Sequence, residues 1–158
     1  MKFRVLGCFG GNVPECGMTS FLVNDTVCLD AGFVSGALSL REQVKVKDVI
    51  ISHSHLDHTC SLPFLIDNNF SAPGFTLRIY AIPEVIASMK AHLFNNQTWP
   101  DFTCLPNDLT PVLKLVEVPI ENVVGGPEGW NQGWPKLAGR GLDVERLEIT
   151  AVALGIAT

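Results

Sequence analysis

Basic charge is scarce in this chain. Lysine and arginine number 11 against 16 aspartates and glutamates, a formal net charge of -5. Proteins that grip a nucleic-acid backbone through counterion release are usually basic, so the balance points away from duplex DNA or RNA as the main partner. Long hydrophobic runs are also missing, and no uninterrupted apolar stretch reaches membrane-spanning length. The first residues, Met1-Lys2-Phe3-Arg4-Val5-Leu6-Gly7-Cys8, lack the apolar h-region of a signal peptide. The cysteines, Cys8, Cys16, Cys28, Cys60 and Cys104, are odd in number and include no C-x-x-C. That fits buried free thiols in a reducing compartment better than a disulfide framework, with Cys60 read as a core residue. These absences together describe a soluble, cytoplasmic protein. There is no P-loop, no dinucleotide fingerprint, no G-x-S-x-G, no internal repeat and no low-complexity tract.

What is present suffices for a core. The chain has 158 residues, 47% hydrophobic and 17% charged, which argues for one domain spanning residues 1–158. Residues 2–6 read as a strand, and 7–17, with four glycines and Pro14, as a loop, more a plain turn than a ligand contact. Residues 19–24 and 26–30 form a hairpin turning at Asn24-Asp25. A short helix is expected over 36–44 and a buried strand over 48–52. Ser61 would cap a helix running to Phe70, with Pro63 tolerated in its first turn. A strand follows at 77–82. A helix at 83–94 has Val85, Met89 and Leu93 on one face. Another strand is expected at 112–118. Residues 125–141 hold six glycines, two prolines, Trp130 and Trp134, an irregular loop that serves as a lid or binding surface or is a variable insertion. Residues 147–154 read as a last apolar strand. Strands first, then strand and helix alternating, is a mixed α/β layered fold.

Three of the four histidines fall within six residues, His53-Ser54-His55-Leu56-Asp57-His58. At a strand end, residues i and i+2 share a side, so His53 and His55 can address one ion. The chain then turns and aims Asp57 and His58 at a second. Imidazole suits zinc, iron and manganese, and the carboxylate favours a catalytic over a structural site. Two ions roughly 3.5–4 Å apart can share a bridging hydroxide and clamp a scissile phosphate. A metal pair would also supply the positive charge that lets an acidic chain take a small anion. Asp30, at the end of the second hairpin strand, is either a turn aspartate or an acceptor for the second N–H of a ligand histidine.

The string, with Leu29-Asp30-Ala31-Gly32 upstream, resembles the metallo-β-lactamase fold superfamily. It is most similar there to the class II cyclic-nucleotide phosphodiesterases. That closer likeness rests on Ser52 continuing through His58 into Leu62-Pro63-Phe64-Leu65-Ile66-Asp67-Asn68, and on Gly7-Cys8-Phe9-Gly10-Gly11 and Thr19-Ser20-Phe21-Leu22-Val23. It rests also on His92-Leu93-Phe94-Asn95-Asn96 and Trp99-Pro100-Asp101-Phe102. It covers residues 3–120. The resemblance implies an αββα sandwich of two sheets with a two-metal site at one edge. It implies two divalent ions, zinc or else manganese or iron, with His53 and His55 on the first and Asp57 and His58 on the second. Asp57 and His58 become the catalytic residues and Asp30 the support behind a histidine. The reaction implied is hydrolysis of a 3′,5′-cyclic nucleotide such as cyclic AMP, with a metal-bound hydroxide attacking phosphorus.

The chain also departs from that pattern. The superfamily's second half supplies a further histidine, a bridging aspartate and a final histidine, and here only His92 follows His58. The domain is therefore expected to be incomplete, its N-terminal half to two-thirds. His92 reads as a structural or substrate-edge residue rather than a ligand. Asn95 and Asn96 either contact a phosphate or base edge or cap the preceding helix. A non-catalytic half-domain that self-associates through the last strand is the alternative reading. Another hydrolase of the same superfamily, acting on a thioester, a lactone or a nucleic acid, is a third.

Overall fold

The structure is a computed structural model that describes residues 1–118. The loop expected at 125–141 and the strand expected at 147–154 lie outside the described residues.

The chain opens with a meander, β1 (Phe3–Gly7), β2 (Ser20–Val23) and β3 (Val27–Leu29), in antiparallel pairs. The β2–β3 turn is set by its two residues. Asn24 and Asp25 both take left-handed φ, 48° and 62°. A two-residue turn of that kind matches the twist of the strands it joins, and Asn and Asp tolerate it. After β3 come α1 (Val34–Ala37), α2 (Leu40–Gln43), β4 (Asp48–Ile50), α3 (Leu56–Thr59), α4 (Leu62–Asn69), β5 (Leu77–Ala81), α5 (Pro83–His92) and β6 (Leu113–Glu117). From β3 onward the pairing is parallel, and the six strands stand in chain order across one sheet. Parallel neighbours need crossovers, which the helices supply.

Both faces of this sheet are apolar. Leu22, Cys28, Val49 and Ile79 pack against helix residues that include Val34, Leu62, Leu65, Val85 and Met89. The alternate positions Phe21, Val23, Leu29, Ile50 and Tyr80 gather with Val118 into a second cluster that, among the described residues, contains no helix residue. This is a mixed α/β fold, and among the described residues it shows one sheet of the expected two-sheet sandwich.

Several local expectations shift by a physical cause. The helix expected over 36–44 is two single turns, because Leu38 is extended and Ser39 restarts the helix, with Glu42 Oε2 accepting from the Ser39 N–H at 2.9 Å and hydroxyl at 2.8 Å. Ser61 stands where a cap would, but its hydroxyl donates to the Gly32 carbonyl at 3.1 Å instead. α5 stops at His92, and the following Phe94 turns into the core. The expectation of buried thiols holds for Cys28 alone. Cys8, Cys16 and Cys104 are exposed, Cys60 is half-buried rather than a core residue, and all five are free.

Arg78 in β5 clasps Asp48 in β4 through two hydrogen bonds, 2.6 and 2.7 Å, across a registered pair. Arg4 Nη1 reaches Glu42 Oε1 at 2.8 Å and ties β1 to α2. The Arg4 hydrogen bond, followed by those from Ser39, holds the Glu42 carboxyl down to about 2. A depressed carboxyl stabilises the fold above its unfolded value, near 4.3, and that contribution fades as pH falls toward 2. Glu42→Gln should thus lower the urea midpoint modestly at neutral pH, with the gap to wild type closing below about pH 4. A gap unchanged between pH 7 and pH 3 would contradict the assignment. Burial pushes the Cys28 thiol up to about 12, and the thiolate is the reactive form. Native protein treated with a thiol reagent should label Cys8, Cys16 and Cys104 first, with Cys28 modified only after denaturation. Peptide mass mapping reads this directly.

Candidate functional site

Strand β4 aims the histidine string. It pairs with β3 on one side and β5 on the other, and Ile51 N–H still donates to the Tyr80 carbonyl at 2.9 Å. The string lies just past the carboxyl ends of these parallel strands, where open α/β sheets place their sites. β4 ends at Ile50, before His53, so His53 and His55 are not paired by strand alternation as the sequence implied. They lie on an extended stretch that ends with His55 (φ -61°, ψ 149°) at the N-cap position of α3, and α3 carries Asp57 and His58. The His55 carbonyl accepts from the His58 N–H at 3.0 Å and the Thr59 hydroxyl at 3.1 Å.

The loop after β3 anchors this turn. Ala31 N–H donates to the His58 carbonyl at 2.7 Å, and Ser61 N–H to the Ala31 carbonyl at 2.8 Å. Gly32 is there because of closeness: a Cβ on it would overlap the Asp57 carbonyl and stand 2.7 Å from the Met18 Cβ. The glycine-rich 7–17 loop also comes near. A Cβ on Gly10 would lie 3.7 Å from Asp57 Oδ2, so this loop borders the site rather than being a remote turn.

Asp30 is the centre of the hydrogen bonding. It is 2% exposed, in a left-handed conformation with φ 53°. Its carboxylate accepts from Ser52 N–H at 2.8 Å and faces the Ser52 hydroxyl at 2.8 and 2.9 Å. His58 Nδ1 is 2.8 Å from Asp30 Oδ2, and His58 Nε2 is 3.2 Å from Asp57 Oδ2. The His53 ring lies 3.9 Å from the His58 ring and 4.6 Å from the His55 ring, between centroids. Burial pulls His58 down, yet the Asp30 hydrogen bond and charge, joined by Asp57, outweigh it and the ring is raised. His53 is lowered, first by burial and then by the neighbouring His58.

His53, His55, Asp57, His58 and Asp30 therefore lie close together. The other three residues do not join them among the described contacts. A cleft of about 420 Å³ is lined by His53, Ser54, His55, Ile82, Glu84 and Val85. It abuts the start of α5, whereas His92 closes the same helix, eight residues or roughly 12 Å along the axis from Glu84. Asn95 spends its side-chain oxygen on the Gln97 and Thr98 N–H groups, and Asn96 spends its own on the Asp101 N–H. Sequence reasoning missed Ser52, Gly32 and Glu84 as parts of the site. Ser52 was adjacent to the string and already inside the matched segment. Nothing local marked Glu84.

The donor chemistry fits divalent metal: three imidazoles, a carboxylate and a buried carboxylate behind one imidazole. Ligands about 2.0 Å from a tetrahedral ion stand roughly 3.3 Å apart, and Asp57 Oδ2 and His58 Nε2 are separated by 3.2 Å. Among the described residues, no three His, Cys, Asp or Glu side chains are grouped so as to hold an ion as they stand.

The family model of the class-II cAMP phosphodiesterases matches residues 37–125, more than half of the chain. The chain belongs to that family. It is 30% identical over 94 residues to a 3′,5′-cyclic-nucleotide phosphodiesterase of Candida albicans, a match covering 56% of this chain and 22% of that protein. Among solved structures it is similar to unliganded yeast PDE1, at 19% identity and a TM-score of 0.60, over 78% of this chain and 52% of that one. It is similar also to YhfI of Bacillus subtilis, a metallo-β-lactamase fold protein. There the identity is 20% and the TM-score 0.55, over 79% of this chain and 48% of that one. The likenesses show the metallo-β-lactamase fold, here as a partial domain. The class II family member spans about a fifth of its curated relative and about half of each structural one.

The Gly32 contact yields a direct test. Gly32→Ala forces the Asp57 turn away and should cost roughly 1–3 kcal/mol of stability, as overpacking against backbone does. A thermal melt that matches wild type would show that the close approach does not exist.

Proposed function

We propose that this chain carries the metal-binding half-site of a phosphodiesterase that opens a 3′,5′-cyclic nucleotide. The observation that carries the reading is the line Asp30–His58–Asp57, with contacts of 2.8 and 3.2 Å, whose His58 and Asp57 lie inside the segment that matches the class II family. A buried carboxylate that fixes one imidazole and turns its other nitrogen toward a second carboxylate is the arrangement of a metal ligand, not of a solvated surface loop.

His53 and His55 would serve one ion and Asp57 and His58 a second, zinc or else manganese or iron. Divalent ions held there would acidify water and neutralise charge on a phosphate. The chain's own residues do the rest. Asp30 holds the His58 ring in place, and the α3 turn keeps Asp57 beside it. Ile82 and Val85 give the cleft an apolar wall, and Glu84 offers an acceptor at its edge. A small cyclic phosphodiester suits the site better than a polyanion, given the net charge of -5. No helix among the described residues is long and apolar enough to cross a membrane.

A second reading draws on the missing triad of donors. With no three ligands grouped among the described residues, a non-catalytic half-domain that holds metal weakly fits too. Metal stoichiometry separates the two. The phosphodiesterase reading expects two tightly held ions per chain and cleavage of 3′,5′-cyclic AMP with added manganese or zinc. Asp57→Ala should then take hydrolysis to background while circular dichroism and the melting curve hold. Fewer than one ion per chain with no turnover, or an active Asp57→Ala variant, would sink the proposal.

A further inference from the structure

We propose that Ser52 is a positioning residue that relays the Asp30 carboxylate to His53, so that one buried acid holds a proton at Nδ1 of two histidines. The inference rests on the metal-site reading above and deepens it. Its support is a count of protons. The Ser52 hydroxyl stands 2.8 and 2.9 Å from the two Asp30 oxygens, 3.0 Å from His53 Nδ1 and 3.5 Å from His58 Nδ1. It has one proton to give. A carboxylate only accepts, so an oxygen lone pair turned toward it at 2.8 Å would be repelled. The hydroxyl proton therefore goes to Asp30, which leaves its lone pairs facing His53.

His53 Nδ1 must then carry a proton and donate it to Ser52 Oγ, which leaves Nε2 with a free lone pair. His58 is held at Nδ1 directly, because that nitrogen lies 2.8 Å from Asp30 Oδ2. Both rings are thus gripped at Nδ1, one by the acid itself and the other through a hydroxyl, while the His58 Nε2 faces Asp57 Oδ2 at 3.2 Å. Ser52 is fixed for this task by its own backbone, whose N–H donates to Asp30 Oδ1 at 2.8 Å. An alanine would keep that backbone bond and lose only the relay.

The test uses the full chain, metal-stripped and labelled with ¹⁵N at the histidine rings. Long-range proton–nitrogen correlation spectra, recorded above the imidazole titration range, report which nitrogen bears the proton. Wild type should show His53 in the Nδ1–H form and His58 with a proton at Nδ1. In Ser52→Ala, His53 should move toward the Nε2–H form that free imidazole prefers, while His58 stays as it was. Ser52→Thr should restore His53. A merely structural role would move both rings or neither. Zinc titration gives a second reading: Ser52→Ala should weaken binding about 10–100-fold, as loss of a partner behind a ligand does, and Ser52→Thr should recover it. His53 in the Nε2–H form in wild type, or unmoved by Ser52→Ala, overturns the relay. The expected tautomers in a wild-type chain that takes up no zinc would uphold the relay and defeat the metal reading of the site instead.

Discussion

The site depends on one buried carboxylate. Asp30 is 2% exposed, and an ionised acid so placed costs several kcal/mol unless its oxygens are occupied. Among the described residues, every partner of that carboxylate comes from the histidine string or the residue before it: the Ser52 N–H, the Ser52 hydroxyl and His58 Nδ1. The acid is delivered by the sheet. Asp30 N–H donates to the Ile50 carbonyl at 2.8 Å, so the parallel β3–β4 register places it beside the end of β4. Its left-handed φ of 53° ends β3 at that point, a local strain of about 1–3 kcal/mol that the surrounding bonds offset. The register, the turn and the string are thus parts of one arrangement.

The same dependence explains what the sequence revealed and what it hid. The β2–β3 hairpin was legible because Asn24 and Asp25 alone dictate a left-handed turn. α5 was legible from the spacing of Val85 and Met89, both of which are buried. The histidine string was legible as a cluster because its side chains are written in consecutive residues. The failures are all tertiary. Ser61 has the makings of a cap, but a carbonyl from a loop 29 residues away claims its hydroxyl. Cys8, Cys16 and Cys104 look like core thiols by residue type, yet they fall on loops that face water. Nothing local explains Gly32, whose reason is a backbone from another part of the chain. Ser52 was in plain sight, but a serine beside a histidine means nothing until Asp30 is brought under it.

Apolar patterning on both faces of the sheet carries a second constraint. Helices account for one face, where Leu22, Cys28 and Val49 meet α1, α4 and α5. The other face gathers Phe21, Val23, Leu29, Ile50 and Tyr80 with no helix among them. A sheet that is apolar on both sides is the middle of a layered domain and needs a layer on each. That agrees with a chain that aligns with about half of yeast PDE1 and half of YhfI. It also bears on the chemistry, since the string sits just past the end of β4.

How Asp57 and His58 come to face each other follows from the same acid. Consecutive positions on a helix diverge by about 100°, so neighbours on α3 should aim apart. Their donor atoms nevertheless lie 3.2 Å from one another. Aspartate is short and keeps to its own side of the turn. Histidine is longer, and its ring can swing back if something grips the near nitrogen. Asp30 does so at Nδ1, from the strand side, and the far nitrogen is thereby carried toward Asp57. Remove that grip and the two side chains return to their helical directions, with nothing to hold them face to face. The approach of these adjacent side chains is therefore not a property of the D-H dipeptide. It is produced by a residue 28 positions earlier, which is why the string needs Leu29-Asp30-Ala31-Gly32 to become a site.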